Sequence, residues 1–233
     1  MLLSHPLQET AGVFLLILGG WAASLCVHEF GHAYFAFRGG DRAVAMKGYL
    51  SLDPRRYTDP VLSLILPLVF LVIGGIPLPG GAVWINHHAL RSRRTESTVS
   101  LAGPLSNLFF GIVLSLIVRF AFPQSYYASA TGVGLAAGLS FLALLQIFAF
   151  IINILPIPGL DGWGAIEPWL SPQAQAMGAK VRPWAPLVLF VALFAVQPIQ
   201  QLFFFLSNAV FGLFGGNTGL TTLGEHLFLF WRF

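Results

Sequence analysis

The sequence predicts an all-α polytopic membrane protein, and three observations support this fold class. Hydrophobic residues make up 56% of the 233 residues, charged residues make up only 9%, and the mean hydropathy is +0.78. A soluble domain carries about 25% charged residues. The apolar residues collect in about 5–6 runs that resemble membrane segments. The basic residues stand at the ends of these runs, as topology determinants do, so the net charge of +3 does not indicate nucleic-acid binding.

The first apolar run covers residues 11–37 and is long enough to cross a hydrocarbon core of about 30 Å with some tilt. No basic flank precedes it, and it is too long for the apolar region of a cleaved signal peptide. We therefore expect a retained first span. The polar stretch that follows, residues 38–59, could contain short strands over residues 44–52 at the membrane edge.

The other apolar runs differ in how well they suit a membrane span. Residues 97–122 and 132–155 are clear spans, and residues 186–214 are predicted to form a further one. Residues 220–233 are short and rich in Phe, Leu and Trp, which suits either a short span or an interfacial helix. Residues 61–79 are barely long enough to cross, and proline and glycine interrupt them.

These runs predict one transmembrane domain over residues 1–233. Residues 11–165 would form its core and residues 184–233 its C-terminal membrane segments. From this size we expect no appended soluble regulatory domain. The single cysteine, Cys26, excludes an intrachain disulfide framework.

The most informative stretch lies in the second half of the first span and reads V-H-E-F-G-H-A at positions 27–33. His28 and His32 are four residues apart, so they project from one face of a helix and suit zinc, which binds imidazole nitrogen. Glu29 is placed to accept a proton from water. On a soluble helix such histidines would more often be surface residues. Within a membrane span, ionisable groups are costly and indicate function.

A catalytic zinc site needs a third protein ligand, and Asp161 is the best candidate. It follows the span at residues 132–155, within a stretch broken by proline and glycine, and such backbone is tolerated at membrane depth only where it lines a cavity or is buried. The alternative is an aspartate in an ordinary turn. For Asp161 to meet the histidines, the two spans must run parallel, with an odd number of crossings between them. Since residues 97–122 provide one crossing, we expect residues 61–79 to be re-entrant.

The distribution of Lys and Arg predicts the orientation in the membrane. Residues 38–59 hold five of these side chains, residues 86–95 hold three, residues 167–183 hold two, and residues 123–131 hold none. The first three polar stretches therefore look cytoplasmic. Arg119 is the exception, because it lies near the outer end of its span, where a long side chain can snorkel. The metal would lie toward the cytoplasmic side.

Three further polar residues leave alternatives open. His87 and His88 could be extra ligands or a proton relay, but we favour ordinary loop residues near lipid headgroups, because their arginine neighbours repel cations. Asn107 could form a hydrogen bond between helices or line a substrate path.

Three motifs in this order resemble the site-2 protease family, whose members are intramembrane zinc metalloproteases. The motifs are H-E-F-G-H at positions 28–32, A-G-P-L-S-N at 102–107 and N-I-L-P-I-P-G-L-D-G at 153–162. The resemblance covers roughly residues 27–163. It implies that His28, His32 and Asp161 bind one Zn²⁺ and that Glu29 is the general base. It further implies that Asn153 holds the substrate backbone or the oxyanion.

The resemblance implies regulated intramembrane proteolysis, in which a multi-pass protein of the cell membrane cuts single-span membrane proteins in or near their transmembrane helices within the lipid bilayer. Two other functions would use the same residues. A metal-ion transporter would place its site at the interface of internal repeats, and we find no repeat in the sequence. A catalytically inactive membrane scaffold would not need Glu29 together with the metal ligands.

Overall fold

The computed structural model describes residues 4–56 and 83–232, and these residues form helices joined by turns, with no strand among them. Three of the described helices are long and apolar enough to cross a membrane, and two bent helix pairs could raise the number to five. This confirms the predicted all-α polytopic membrane fold. The helices, which we number α1 to α9, are Ser4–Gly39, Ala43–Met46, Arg93–Ala121, Ala130–Asn153, Asp161–Ile166, Pro172–Val181, Ala185–Ala195, Gln197–Leu213 and Thr218–Phe228.

The centre of the fold is a layer of the three long helices, α1, α3 and α4. Gly31 of α1 lies against the carbonyl of Ala102 in α3, and Gly111 of α3 lies against α4, because the absence of a side chain lets the backbones approach closely. Helix α3 continues through Pro104 without a break. Among the described residues, α3 packs on α1 and on α4 more extensively than any other two elements pack on each other.

Helices α1 and α4 run parallel, with α3 antiparallel to both. Gly138 packs on Leu16, and Gln146 bonds to Ser24 further along both helices, so the pairing advances in the same direction. This confirms the parallel arrangement that the sequence predicts for the first span and the span before Asp161. Both helices therefore end on the same side of the layer.

The segment predicted to be re-entrant, residues 61–79, lies outside the described residues, so that prediction stays untested. The described residues on either side of it lie at one end of the layer. The Asn86 N–H donates to Asp41 Oδ2 at 2.8 Å, and the Arg91 N–H donates to the Gly39 carbonyl at 3.1 Å. The chain thus leaves α1 and enters α3 at the same end.

The prediction of strands over residues 44–52 is wrong, because this stretch forms the short helix α2 followed by turns. The Asp41 side chain accepts a hydrogen bond from the Ala43 N–H at 2.9 Å, which starts the helical turn. Gly48 has a φ of +77°, a left-handed conformation that ends it. Val44 is fully buried against α1, so its apolar side chain serves packing between helices.

The span predicted over residues 186–214 is broken into two helices. Helix α7 ends at Ala195, Val196 is extended, and α8 begins at Gln197. Pro198, at the start of α8, has no N–H and clashes with the preceding helical turn, which explains the break. Most of the polar stretch at residues 167–183 forms helix α6. The axes of α6 and α7 are bent by 63° relative to each other.

The C-terminal helix α9 folds back onto the three-helix layer. It makes an angle of 120° with α8, and its Phe228 ring stacks on Phe14 of α1 with a centroid distance of 5.2 Å. Gly224 lies directly against the Ala137 backbone of α4. With 11 residues, α9 is about 16 Å long, too short to cross the bilayer alone.

Candidate metal centre

Two histidines of α1 and the aspartate that begins α5 meet at the end of the three-helix layer. His28 Nε2 lies 3.3 Å from Asp161 Oδ2, and His32 Nε2 lies 3.4 Å from Asp161 Oδ1. The two Nε2 atoms are 3.1 Å apart. Tetrahedral ligands at zinc distances of 2.0–2.1 Å stand about 3.3 Å from one another. The spacing of the three groups therefore matches three corners of a tetrahedral site.

The local sequence explains how Asp161 reaches the histidines. Gly159 has a φ of +99°, which turns the chain after α4. A side chain on Gly162 would collide with the carbonyls of Ile154 and Leu155, so only glycine lets the start of α5 pack against the end of α4. The P-G-L-D-G sequence thus turns the chain so that the Asp161 carboxylate lies beside His28 and His32 of α1.

The outer nitrogens of both histidines are bonded to fixed partners. His32 Nδ1 lies 2.7 Å from the Val99 carbonyl, which can only accept, so Nδ1 carries the proton. His28 Nδ1 lies 2.5 Å from Asn107 Oδ1. When Nδ1 of a neutral imidazole donates in this way, Nε2 presents a lone pair. Both Nε2 atoms then face the carboxylate as acceptors.

This donor set fits a divalent cation. In the neutral tautomers, two nitrogen lone pairs and a carboxylate converge in a buried site with no proton between them, and a cation would relieve their repulsion. His28 and His32 are buried and Asp161 is partly exposed, and among the described residues these three are the one group of acids, histidines and cysteines close enough to share an ion. Imidazole and carboxylate ligands suit zinc.

Gly103 makes room for the two imidazoles. A Cβ atom built on this residue would collide with the Nε2 atoms of His32 and His28. Gly103 belongs to the A-G-P-L-S-N stretch of α3. The glycine in this motif therefore leaves the space that the two imidazoles of the candidate metal centre occupy.

Glu29 lies beside the cluster and is 2% exposed. Its Oε2 accepts a hydrogen bond from the Val83 N–H at 3.2 Å, and its Oε1 has no hydrogen-bond partner among the described residues. A buried carboxylate oxygen without a donor is costly, so Oε1 is available to a polar group that enters the site.

A cavity of about 330 Å³ opens onto the cluster, and its wall includes Glu29 and Asn153. Asn153 is the last residue of α4 and is 6% exposed. At the mouth, the Arg182 guanidinium bonds both carboxylate oxygens of Glu167, at 3.0 and 2.7 Å. The volume is in the range of small-molecule pockets, and the cavity connects the buried cluster to the polar end of the bundle.

His87 also lines this cavity, but it lies apart from the metal cluster. Its Nδ1 is 4.0 Å from Glu96 Oε2, and both His87 and His88 are exposed in a single helical turn, His87–Ala89. Neither histidine joins the three-ligand group among the described residues.

The structure brings together every site residue that the sequence predicts, since His28, Glu29, His32, Asn153 and Asp161 all line the one cavity. Sequence reasoning did not identify three neighbours: Gly103, the Val99 carbonyl and the Val83 N–H. Gly103 could have been found, because it belongs to the A-G-P-L-S-N motif. The Val99 carbonyl and the Val83 N–H could not have been found, because nearly every residue has a carbonyl and an amide N–H.

Comparisons with known proteins extend over almost the whole chain. The chain is 44% identical over 221 residues to "Putative zinc metalloprotease Rip2" of Mycobacterium tuberculosis (strain H37Rv), covering 95% of this chain and 82% of the relative. It is 42% identical over 220 residues to the protein of the same name in Mycolicibacterium smegmatis, covering 94% and 82%.

A more distant relative points the same way. The chain is 33% identical over 180 residues to "Putative zinc metalloprotease YwhC" of Bacillus subtilis, covering 76% of this chain and 78% of the relative. No family model matches the chain, and no solved structure matches it. With three apolar helices long enough to cross a membrane and the cluster on the first of them, the chain belongs to the site-2 protease family of membrane zinc metalloproteases.

Proposed function

We propose that this protein is an intramembrane zinc metalloendopeptidase that cuts peptide bonds in or near the transmembrane helices of single-span membrane proteins, as in regulated intramembrane proteolysis. The observation that carries the proposal is the meeting of His28, His32 and Asp161 beside a buried glutamate, on a helix apolar enough to span the bilayer. The names of the relatives support the zinc and the peptidase chemistry.

His28, His32 and Asp161 would hold one zinc ion per chain. Their atoms fit tetrahedral coordination, and the two Nδ1 contacts keep the imidazoles turned toward the centre. Bound zinc supplies Lewis acidity, which polarises the scissile carbonyl and makes water more acidic.

Glu29 acts as the general base and then as the general acid. Its unpartnered Oε1 accepts a proton from the water molecule whose oxygen bonds to the carbonyl carbon. The C–N bond breaks, and the proton passes from Glu29 to the leaving amine. The Asn153 side chain, in the wall of the same cavity, donates a hydrogen bond to the developing oxyanion. Donors of this type contribute about 2.7–4 kcal/mol.

A transmembrane helix must be extended locally before it can be cut, because its carbonyls are already hydrogen-bonded. Residues 83–86 lie outside any helix, and Val83 and Ile85 line the cavity. The Val83 and Asn86 N–H groups already donate to Glu29 and Asp41, and an unwound substrate can pair with the other backbone groups of this stretch. Residues 44–52, which form helix α2 and turns, offer no strand edge for such pairing.

Co-expression with single-span membrane proteins tests this function. We expect wild-type protein to yield a fragment whose new terminus, read by mass spectrometry, lies in or near the substrate's transmembrane helix. The Glu29→Gln variant should yield none while retaining zinc. Equal fragment from both proteins would overturn the assignment. Metal transport at full rate by Glu29→Gln would favour a transporter.

The active site opens toward the cytoplasm. All Lys and Arg residues except Arg119 and Arg232 lie in the three polar stretches at the metal end of the layer, which matches the positive-inside rule. In intact cells, a cysteine introduced by Tyr127→Cys should react with a membrane-impermeant thiol reagent, and one introduced by Arg55→Cys should not. The reverse pattern would contradict this orientation.

A further inference from the structure

A chain of buried side chains connects His28 to the preceding turn of its own helix through two neighbouring helices. His28 Nδ1 contacts Asn107 Oδ1 at 2.5 Å, and Asn107 Nδ2 donates to Gln146 Oε1 at 2.7 Å. Gln146 Nε2 donates to Ser24 Oγ at 3.0 Å, and Ser24 Oγ donates to the Trp21 carbonyl at 2.7 Å. The chain leaves α1, passes through α3 and α4, and returns to α1 one turn before His28. We call Asn107, Gln146 and Ser24 the relay.

The relay is closed to solvent. Gln146 is 0% exposed, and Asn107 and Ser24 are each 2% exposed. Water therefore does not compete for these hydrogen bonds, and each polar atom depends on its protein partner.

The Trp21 carbonyl sets the direction of every bond in the relay. A carbonyl can only accept, so the Ser24 hydroxyl must donate to it, which leaves Ser24 Oγ to accept from the Gln146 amide. Gln146 Oε1 then accepts from Asn107 Nδ2, and Asn107 Oδ1 is turned toward His28. Rotating either amide by 180° would place two donors or two acceptors face to face.

His28 needs this arrangement and His32 does not. His32 Nδ1 faces a backbone carbonyl, which cannot be replaced by a donor. His28 Nδ1 faces an asparagine amide, which could present either oxygen or NH₂. If NH₂ faced it, Nδ1 would have to accept, and the proton would move to Nε2, the nitrogen that points at Asp161.

We propose that Ser24 and Gln146, acting through Asn107, are positioning residues that hold His28 in the tautomer with a free Nε2 lone pair. This inference rests on the proposed role of His28 as a metal ligand. Partners that orient a ligating histidine typically change metal affinity by about 10–100-fold. The relay therefore belongs to the metal site although Ser24 and Gln146 do not touch the ligand atoms.

The first test compares two buried serines in the full-length protein in lipid nanodiscs. Ser24 and Ser115 both donate to a carbonyl of their own helix, but only Ser24 accepts from Gln146. Zinc affinity is measured by competition with a chelator. Ser24→Ala should weaken zinc binding by about 10-fold, and Ser115→Ala should leave it unchanged. Equal affinities for the two variants would overturn the relay.

A second comparison separates hydrogen bonding from packing at Gln146. Gln146→Leu removes both polar atoms, whereas a neutral carboxyl in Gln146→Glu can still accept from Asn107 and donate to Ser24. We expect a loss of about 10–100-fold in zinc affinity for Gln146→Leu and recovery to within a few-fold in Gln146→Glu. The same loss in both variants would mean that shape alone matters.

A third comparison uses the Asn107→Asp variant, in which the tautomer of His28 should no longer require the relay. Asn107→Asp presents only acceptor atoms to His28, so its tautomer no longer depends on Ser24. The effect of Ser24→Ala on zinc affinity should therefore disappear in the Asn107→Asp background, a non-additivity that a double-mutant cycle detects. A full additive loss would overturn the mechanism.

The tautomer itself is read without zinc. In metal-free protein labelled with ¹⁵N-histidine, His28 should be protonated at Nδ1 in wild type and should show Nε2–H signal in Ser24→Ala. Persistence of Nδ1–H alone in Ser24→Ala would overturn the relay whatever the zinc result. Failure of the wild type to bind zinc would overturn the proposed function, and the ¹⁵N spectra would still decide the relay.

Discussion

The three-helix layer and the C-terminal helices α7–α9 use buried polar side chains differently. In the C-terminal helices, Ser207 and Thr221 are buried, and their hydroxyls donate to the Phe203 and Thr218 carbonyls of the same helix. In the layer, Asn107 bonds to side chains on two other helices. A bond within a helix satisfies a hydroxyl, whereas bonds between helices fix the relative position of distant residues. Among the described residues, the buried bonds between side chains of different helices lead to His28.

The largest expected difference between the two regions is the loss of cleavage when a carboxylate is replaced in each of them. Replacing Glu29 by Gln removes the proposed general base, so cleavage of a single-span substrate should fall by about 10²–10⁴-fold, while zinc content stays at the wild-type level. Glu225→Gln changes an exposed carboxylate of α9 and should leave cleavage unchanged. Fragment yield by quantitative immunoblot measures both. Cleavage by Glu29→Gln within a few-fold of wild type would remove Glu29 from the chemistry.

Loss of a proposed zinc ligand should have the next largest effect. Asp161→Ala leaves two imidazoles and should weaken zinc binding by more than about 100-fold, exceeding the effect of losing an orienting partner. The control in the C-terminal region is Glu225→Ala, which should bind zinc as the wild type does. Chelator competition gives both affinities, and unchanged binding by Asp161→Ala would show that another group completes the site.

Glycine substitutions in the layer and in the C-terminal helices compare the two regions without changing any polar side chain. A methyl group on Gly103 would meet both Nε2 atoms, whereas one on Gly212 of α8 has no atom within 4 Å. Gly103→Ala should reduce zinc affinity by about 10–100-fold, a loss comparable to that of an orienting partner. Gly212→Ala should behave like wild type by the same chelator assay. Normal zinc binding by Gly103→Ala would mean that the imidazoles do not occupy these positions.

The smallest functional effect is expected from apolar substitutions, which change stability alone. Leu145 of α4 is 0% exposed and Leu213 of α8 is 80% exposed. Leu145→Ala leaves a cavity and should lower the free energy of unfolding by about 2–5 kcal/mol, and Leu213→Ala should change it by less than about 0.5 kcal/mol. Denaturant titration in micelles measures both. Equal losses would mean that the C-terminal helices are packed as tightly as the layer.

The same contrast explains what the sequence could predict. The spacing of His28 and His32 predicts a shared helix face, and the requirement that Asp161 meet them predicts that the two spans run parallel. Both predictions depend on rare residues in an apolar context, and the structure confirms the proximity of the three side chains. The break at Val196 was missed because residues 186–214 are apolar on both sides of it.

Two further features could not be found from local sequence. The strands expected over residues 44–52 depend on composition, but the Asp41 hydrogen bond and the left-handed Gly48 close a helical turn there. Gln146 is a single amide in an apolar helix, and its partners lie 39 and 122 residues away. Only the packing of three helices reveals its role.

The most direct test of the central claim is the zinc content and X-ray absorption spectrum of the purified full-length protein. The account predicts about one zinc per chain, bound by nitrogen and oxygen at about 2.0–2.2 Å with the scattering of two imidazoles. It predicts loss of that zinc in the His28→Ala/His32→Ala variant. A wild-type protein without zinc, or the same spectrum after both histidines are removed, would contradict it.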